Sequence, residues 1–83
     1  MKSARDELDR IDNAILALLG ERGRVVAELW HQKGAAGMPT MDAERERSIF
    51  ARLRAQAIQA GMDADAVERV FRQVVGGTFW AER

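Results

Sequence analysis

Apolar residues recur at steps of three and four along the first third of the chain, from about Ser3 to Lys33. They are Leu8, Ile11, Ile15, Leu18, Val25 and Leu29. This spacing places them on one side of an amphipathic helix of about 30 residues, or about 45 Å. Two cations, Arg22 and Lys33, fall on the same stripe. A cation on a buried face is costly unless an anion meets it, so both are candidate functional residues.

A second helix is predicted after residues 34–39, a loop rich in glycine and alanine. Thr40 or Asp42 caps this helix, which runs to about position 60, where Gly61 suits the conformation that closes a helix. Its apolar stripe consists of Ile49, Phe50, Leu53 and Ala57. Extended towards the N-terminus, the stripe meets two acids, Asp42 and Glu46.

A third helix is predicted to begin at an Asp63 cap. Its apolar residues are Val67, Val70, Phe71, Val74 and Val75. We expect this stripe to continue to Thr78 and then to Ala81 or Glu82, although the glycines at 76–77 weaken helix propensity there. The chain is therefore predicted to be all-α, with one long helix and two shorter ones.

The long helix carries more apolar surface than either short helix covers alone. Two short helices packed end to end would cover it, and so would a second copy of the long helix; its overhanging stripe favours a homodimer. Gly20 and Gly23 interrupt the helix, each at a cost of about 1 kcal/mol relative to alanine. They are either tolerated surface glycines or positions where another backbone comes close or where Arg22 needs room.

Composition narrows the classes of function. The chain has 83 residues, 13 basic and 13 acidic, and its zero net charge argues against a nucleic-acid binder that works through bulk charge. Without cysteine, thiolate metal sites and cysteine nucleophiles are excluded, and a single histidine, His31, disfavours a histidine metal site or a Ser-His-Asp triad. No transmembrane run or signal segment is present, so we expect one cytoplasmic domain over residues 1–83, with any dehydrogenase, dehydratase or allosteric unit on separate chains.

Several polar residues interrupt the apolar stripes of the three predicted helices. They are Arg22, Lys33, Asp42, Glu46, Thr78 and Glu82. Singly, each has a structural explanation, such as an ion pair between Arg22 and Glu46 or a helix cap at Asp42. Together they form a cation-rich cluster of the kind expected in a pocket for a small anion. No activated nucleophile or metal cage stands out, so the pattern favours a chemistry of positioning and electrostatics.

These residues resemble the all-helical, AroQ-type chorismate mutases over nearly the whole chain. The similar segments, in order, are RDELDRID with Arg5, LALLGER with Arg22, then Lys33, PTMDAERE with Asp42, Arg45 and Glu46, and VFRQVVGGTFWAE with Thr78 and Glu82. The resemblance implies an intertwined homodimer that rearranges chorismate to prephenate, without cofactor or metal, in phenylalanine and tyrosine biosynthesis. Arg5 and Arg22 are 17 residues apart, or about 25 Å along one helix, so Arg5 would serve the partner's site.

The resemblance also assigns roles to the basic residues. Arg22 and the partner's Arg5 hold the substrate carboxylates, with Arg45 nearby. Lys33 and the residue at position 82 donate hydrogen bonds to the ether oxygen, which gains negative charge in the transition state. Glu82 donates only when it is protonated, so we expect kcat/KM to fall as the Glu82 carboxyl ionises.

The remaining roles fall to Glu46, which takes the ring hydroxyl together with the backbone at Asp42, and to Thr78, which assists at the ring carboxylate. Thr78 stands where some relatives have serine, and the glycines at 76–77 are unusual in a helix that carries site residues. With the glycine-rich loop before Pro39, these departures indicate a weak enzyme or one that gains activity from a partner protein that the sequence does not identify.

Two other functions compete with this interpretation. Isochorismate-pyruvate lyases and 4-amino-4-deoxychorismate mutases resemble the same pattern, although PTMDAERERS looks more like the mutases than the lyase. In the amino mutase, Asp42 and Glu46 would accept an ammonium group. A non-catalytic helical dimerisation module would instead use Arg22 as ion-paired scaffolding, and its removal would damage folding.

Overall fold

The fold is known from a computed structural model that describes residues 3–32, 43–77 and 79–81. Within these ranges the chain forms three α-helices and no strand: α1 at Ala4–Gln32, α2 at Ala43–Gln59 and α3 at Ala64–Gly76. The all-α prediction is confirmed. None of the helices in the described ranges combines the length and the apolar character needed to cross a membrane. Helix α1 and residues 79–81 belong to one compact unit, and α2 and α3 to another.

Helix α1 begins with a reciprocal pair of hydrogen bonds at Ser3. The Ser3 hydroxyl oxygen accepts from the backbone N–H of Asp6 at 3.1 Å, and the Ser3 N–H donates to the Asp6 carboxylate at 3.3 Å. This arrangement satisfies N–H groups that have no partner within a helix. The helix is then unbroken to Gln32, so the predicted length is confirmed. Its apolar stripe is exposed in this single chain, with Leu8 at 57% and Leu18 at 62% of full exposure.

Helices α2 and α3 pack against each other. The side chains that the described ranges bury most deeply are Phe50 and Ala57, at 6% and 4% exposure, and both lie on the predicted stripe of α2. Helix α2 ends at a left-handed glycine, Gly61, with φ of 78°. The Gly61 N–H donates to the Ile58 carbonyl and the Met62 N–H to the Ala57 carbonyl, at 3.0 and 2.8 Å. The predicted role of Gly61 is confirmed, because this paired closure requires a positive φ at that residue.

Helix α3 begins at Asp63, as predicted. Its carboxylate accepts from the N–H groups of Asp65 and Ala66 at 2.9 and 3.2 Å. The other end differs from the prediction, because α3 stops at Gly76 and Gly77 is extended. Two consecutive glycines lower helix propensity enough to outweigh the apolar pattern beyond them. The expected helical continuation to Ala81 is therefore wrong, and Thr78 and Glu82, which were expected on the same stripe, lie outside the described residues.

Candidate active site

Half of the predicted site residues lie in the part of the chain that the structure describes. Arg5 and Arg22 are on α1, and Arg45 and Glu46 are on the first turn of α2. The other four predicted residues lie outside the described ranges. They are Lys33, Asp42, Thr78 and Glu82.

The two arginines of α1 are widely separated along one rod. Arg5 is exposed in the first turn, and Arg22 is half-buried. Because the helix is continuous between them, the rise per residue puts about 25 Å between their backbones. One small dicarboxylate cannot bridge them within a single chain. The geometry that led to the prediction of a site shared between chains is therefore present in α1.

Gly20 and Gly23, which lie on either side of Arg22 in α1, form a seat for the indole ring of Trp80. The indole N–H of Trp80 donates to the carbonyl oxygen of Gly20 at 3.1 Å. A β-carbon at Gly23 would lie 2.8 Å from ring atoms Cδ1 and Nε1, and one at Gly20 would lie 3.2 Å from Cζ2. The Arg24 guanidinium is 5.6 Å from the ring centroid, within cation–π range. Both glycines thus make room for a tryptophan, so they are not merely tolerated surface glycines.

Glu46 faces a cation on the neighbouring helix. Its Oε1 atom lies 3.6 Å from Nη1 of Arg72 on α3, and its side chain is 43% exposed. Arg72 also donates from Nε and Nη2 to one oxygen of Glu68, at 2.9 and 2.6 Å. Its guanidinium lies 4.5 Å from the centroid of the buried Phe50 ring. Arg72 is therefore held on two sides and presents Nη1 to the Glu46 carboxylate.

The ion pair between Glu68 and Arg72 extends further along α2 and α3. Nη1 of Arg54 donates to Glu68 Oε1 at 2.9 Å and to Asp65 Oδ1 at 2.8 Å. Hydrogen bonds from Arg72 and then from Arg54 lower the pKa of Glu68 below its ordinary value of 4.5. The hydrogen bond to Asp65, followed by that to Glu68, raises the pKa of Arg54. Acids and bases thus alternate from Glu46 to Asp65, and each cation lies between two anions.

Sequence reasoning missed Arg72. The available signal was the spacing of four between Glu68 and Arg72, which brings the two side chains together on one helix face. That signal predicts the intrahelical pair, but the contact to Glu46 depends on how α2 and α3 pack. Arg45 was predicted as a site residue. The structure places it beside Arg52, which was not predicted.

Arg45 and Arg52 line a shallow depression on the surface of α2. Its other lining residues are Glu44, Ser48 and Ile49. Two guanidinium groups and a hydroxyl on one helix face supply donors for an anion, in line with the cationic character predicted for the site. Within the described ranges, no three acidic or histidine side chains come together in a group that could hold a metal ion.

Comparisons of the sequence with family models and with known proteins agree on one family. The sequence model of the chorismate mutase type II family matches residues 4–79. The T-protein of Enterobacter agglomerans is 35% identical over 82 residues, which cover 99% of this chain and 22% of that protein. The bifunctional chorismate mutase/prephenate dehydratase of Aquifex aeolicus is 31% identical over 86 residues, which cover 100% of this chain and 24% of that protein. The chain therefore spans less than a quarter of these two relatives.

A third relative is closer to this chain in length. The chorismate mutase of Methanocaldococcus jannaschii is 31% identical over 71 residues, which cover 86% of this chain and 72% of that protein. No solved structure matches the chain significantly. The family match extends from the first turn of α1 to beyond the end of α3, so it includes all three helices and the described candidate residues. The chain belongs to the chorismate mutase type II family.

Proposed function

We propose that the protein is a chorismate mutase that converts chorismate to prephenate in the biosynthesis of phenylalanine and tyrosine. The observation that carries the proposal is the family match over residues 4–79. The candidate residues of α1 and α2 fall within that match. Helix α1 is unbroken and carries Arg5 and Arg22 far apart along its length, which supports a site assembled from two chains.

The reaction is a Claisen rearrangement within one molecule. One C–O bond breaks and one C–C bond forms in a concerted step, and neither a proton nor an electron is exchanged with the protein. The reaction therefore needs no cofactor, and the catalyst acts by selecting the compact conformer and by stabilising charge on the ether oxygen. This chemistry suits a site rich in cations and hydrogen-bond donors.

In the proposed site, Arg22 and the partner's Arg5 bind the two carboxylates and hold the substrate in its reactive conformation, with Arg45 nearby. Lys33 and Glu82 donate hydrogen bonds to the ether oxygen as its negative charge develops. Each of these donors interacts more strongly with the transition state than with the substrate.

The other end of the substrate meets α2 in this proposal. Glu46 and the backbone at Asp42 take the ring hydroxyl, and Thr78 assists at the ring carboxylate. The position of Glu46 on the first turn of α2, with its carboxylate half exposed, supports its role as an acceptor for a ligand hydroxyl.

The proposed functional unit is a homodimer built on α1. Large apolar side chains remain exposed along one side of this helix in the single chain, among them Leu8, Ile15, Leu18 and Val25. A contiguous apolar stripe of this length is typical of a protein interface. Two copies of α1 would cover each other's stripes and bring Arg5 of one chain to the Arg22 site of the other.

The test is the loss of chorismate absorbance on addition of the purified protein, with prephenate identified as the product. Arg22→Ala should abolish conversion while circular dichroism and the dimer mass stay unchanged. Arg10→Ala is the matched control, because Arg10 is exposed on the same helix and pairs only weakly with Glu7, at 3.4 Å. Loss of the fold in Arg22→Ala would favour the dimerisation module, and conversion of isochorismate or 4-amino-4-deoxychorismate alone would favour a sister activity.

A mixing experiment tests the shared site directly. Arg5→Ala and Arg22→Ala are each inactive if both residues serve every site. After the two variants are unfolded together and refolded, half of the dimers are mixed, and each mixed dimer has one intact site. Activity should return to about a quarter of the wild-type value. No recovery, with mixed dimers demonstrated by mass spectrometry, would contradict the contribution of Arg5 across the interface.

A further inference from the structure

We infer that Arg72 is a specificity-determining residue that favours a substrate with a neutral hydroxyl over one with an ammonium at the ring position that Glu46 contacts. The inference rests on the proposed function, in which Glu46 accepts a hydrogen bond from the ring substituent. It concerns the choice between chorismate and its amino analogue, which the family match leaves open. The observation that carries it is the contact between Arg72 Nη1 and Glu46 Oε1 at 3.6 Å.

Arg72 is built into its position. Its Nε and Nη2 atoms both engage Glu68, at 2.9 and 2.6 Å, which fixes the plane of the guanidinium. Its Cζ atom lies over the Phe50 ring, 4.5 Å from the centroid, and Phe50 is only 6% exposed. With Nε and Nη2 bonded to Glu68 and Cζ over Phe50, the remaining nitrogen, Nη1, lies 3.6 Å from Glu46 Oε1. The Arg72 side chain is 54% exposed, and these contacts hold its charge beside Glu46 where α2 packs against α3.

A carboxylate that already faces a guanidinium discriminates between the two substituents. It has about four acceptor positions, so Glu46 can contact Arg72 and still accept a hydrogen bond from a hydroxyl. An ammonium on its free side would lie about 5–6 Å from the guanidinium, and repulsion between the two cations would offset part of the attraction to Glu46. A neutral hydroxyl meets no such repulsion.

Part of the charged network remains when Arg72 is replaced. Arg54 contacts Glu68 Oε1 at 2.9 Å and would remain there after Arg72 is replaced. Substitution of Arg72 therefore leaves Glu68 paired and exposes the full charge of Glu46. Arg54 of α2 still contacts Asp65 and Glu68 of α3 in such a variant, and circular dichroism checks that it is folded.

The test compares kcat/KM for chorismate and for 4-amino-4-deoxychorismate, or the inhibition constant of whichever compound is not converted. Arg72→Gln should shift the ratio about three- to tenfold towards the ammonium compound, a range set by partly screened charges at this separation. Arg72→Lys keeps the charge and should retain a ratio close to that of the wild type. A general loss of structure would lower both values together and leave the ratio unchanged.

Arg69→Gln is the matched control. Arg69 is exposed on the same helix, and the substitution changes the net charge by the same amount. Its ratio should stay within about twofold of the wild type, since its charge is not held against Glu46. An unchanged ratio in folded Arg72→Gln, or an equal shift in Arg69→Gln, would overturn the inference while leaving the mutase activity in place. Failure of the wild type to convert either compound would overturn the proposed function and this inference with it.

Discussion

Replacement of Gly23 by alanine is expected to destabilise the protein, although the same change inside a helix ordinarily stabilises it. Alanine gains about 1 kcal/mol over glycine in helix propensity. At this position, however, the new β-carbon would lie 2.8 Å from Cδ1 and Nε1 of Trp80, whereas unstrained contacts between carbon atoms are about 3.5–4.0 Å. The ring must therefore leave its seat or tilt away from it.

The loss can be estimated from the contacts of Trp80. Its hydrogen bond to the Gly20 carbonyl, at 3.1 Å, is worth about 1 kcal/mol. The residue is 53% exposed, so roughly 100 Å² of its surface is covered, which corresponds to about 2–3 kcal/mol. Displacement of the ring thus costs about 3 kcal/mol, and the helix recovers about 1 kcal/mol. The net loss in free energy of unfolding should be about 2 kcal/mol.

Urea unfolding followed by far-ultraviolet circular dichroism measures this loss. The companion variant is Trp80→Ala, in which Gly23→Ala should become stabilising by about 1 kcal/mol, so that the coupling between the two positions is about 3 kcal/mol. Gly76→Ala is the control for propensity alone, because a β-carbon there meets nothing within 4 Å. If Gly23→Ala stabilises the protein equally with and without Trp80, the seat contributes nothing and the reasoning is wrong.

Three further outcomes are expected. Asp63→Ala removes two hydrogen bonds at the start of α3 and should lower the free energy of unfolding by about 1 kcal/mol in urea; an unchanged urea midpoint would contradict the cap. The pKa of Glu68 is lowered chiefly by Arg72, so the stability that Glu68 adds should be complete above about pH 4.5 and lost as pH falls through the lowered pKa. Urea midpoints measured over a pH series should fall less at acid pH in Glu68→Gln than in the wild type, and an equal fall in both proteins would contradict this role of Glu68. Finally, kcat/KM should fall as pH rises and Glu82 ionises, and Glu82→Gln should give a flatter profile; flat profiles from about pH 5 to 8 in both proteins would remove Glu82 from the site.

The elements that the sequence predicted correctly are set by interactions between neighbouring residues. The hydrogen bonds at Ser3, Gly61 and Asp63 all join residues that are two to five positions apart. Side-chain chemistry and backbone conformation decide such contacts locally, so residue type and order are sufficient to place them. The end of α3 shows how local signals can compete, because the apolar pattern favoured more helix and the two glycines stopped it.

Contacts between distant residues could not be predicted in the same way. Trp80 and Gly20 are 60 positions apart, and nothing in either local sequence identifies the partner of the other. The contact between Glu46 and Arg72 likewise depends on how far each helix is turned about its own axis when α2 packs against α3. An apolar stripe shows which face of a helix is packed, but it does not fix that angle closely enough to pair two side chains. Val70 illustrates this limit, since it lies on the predicted stripe of α3 and yet is 61% exposed.

The exposed stripe of α1 has a consequence for the chain during synthesis. Helix α1 precedes α2 and α3, so its apolar side chains leave the ribosome before the 44 residues that run from Lys33 to Gly76. At about 5–20 residues per second, that interval lasts about 2–9 s. The contacts between α2 and α3 are close in sequence, and helical proteins rich in such contacts fold within microseconds to milliseconds. In the proposed homodimer, the stripe of α1 is covered only when a second chain arrives, so we expect it to be the part of the nascent protein that chaperones bind and that aggregates when they are scarce.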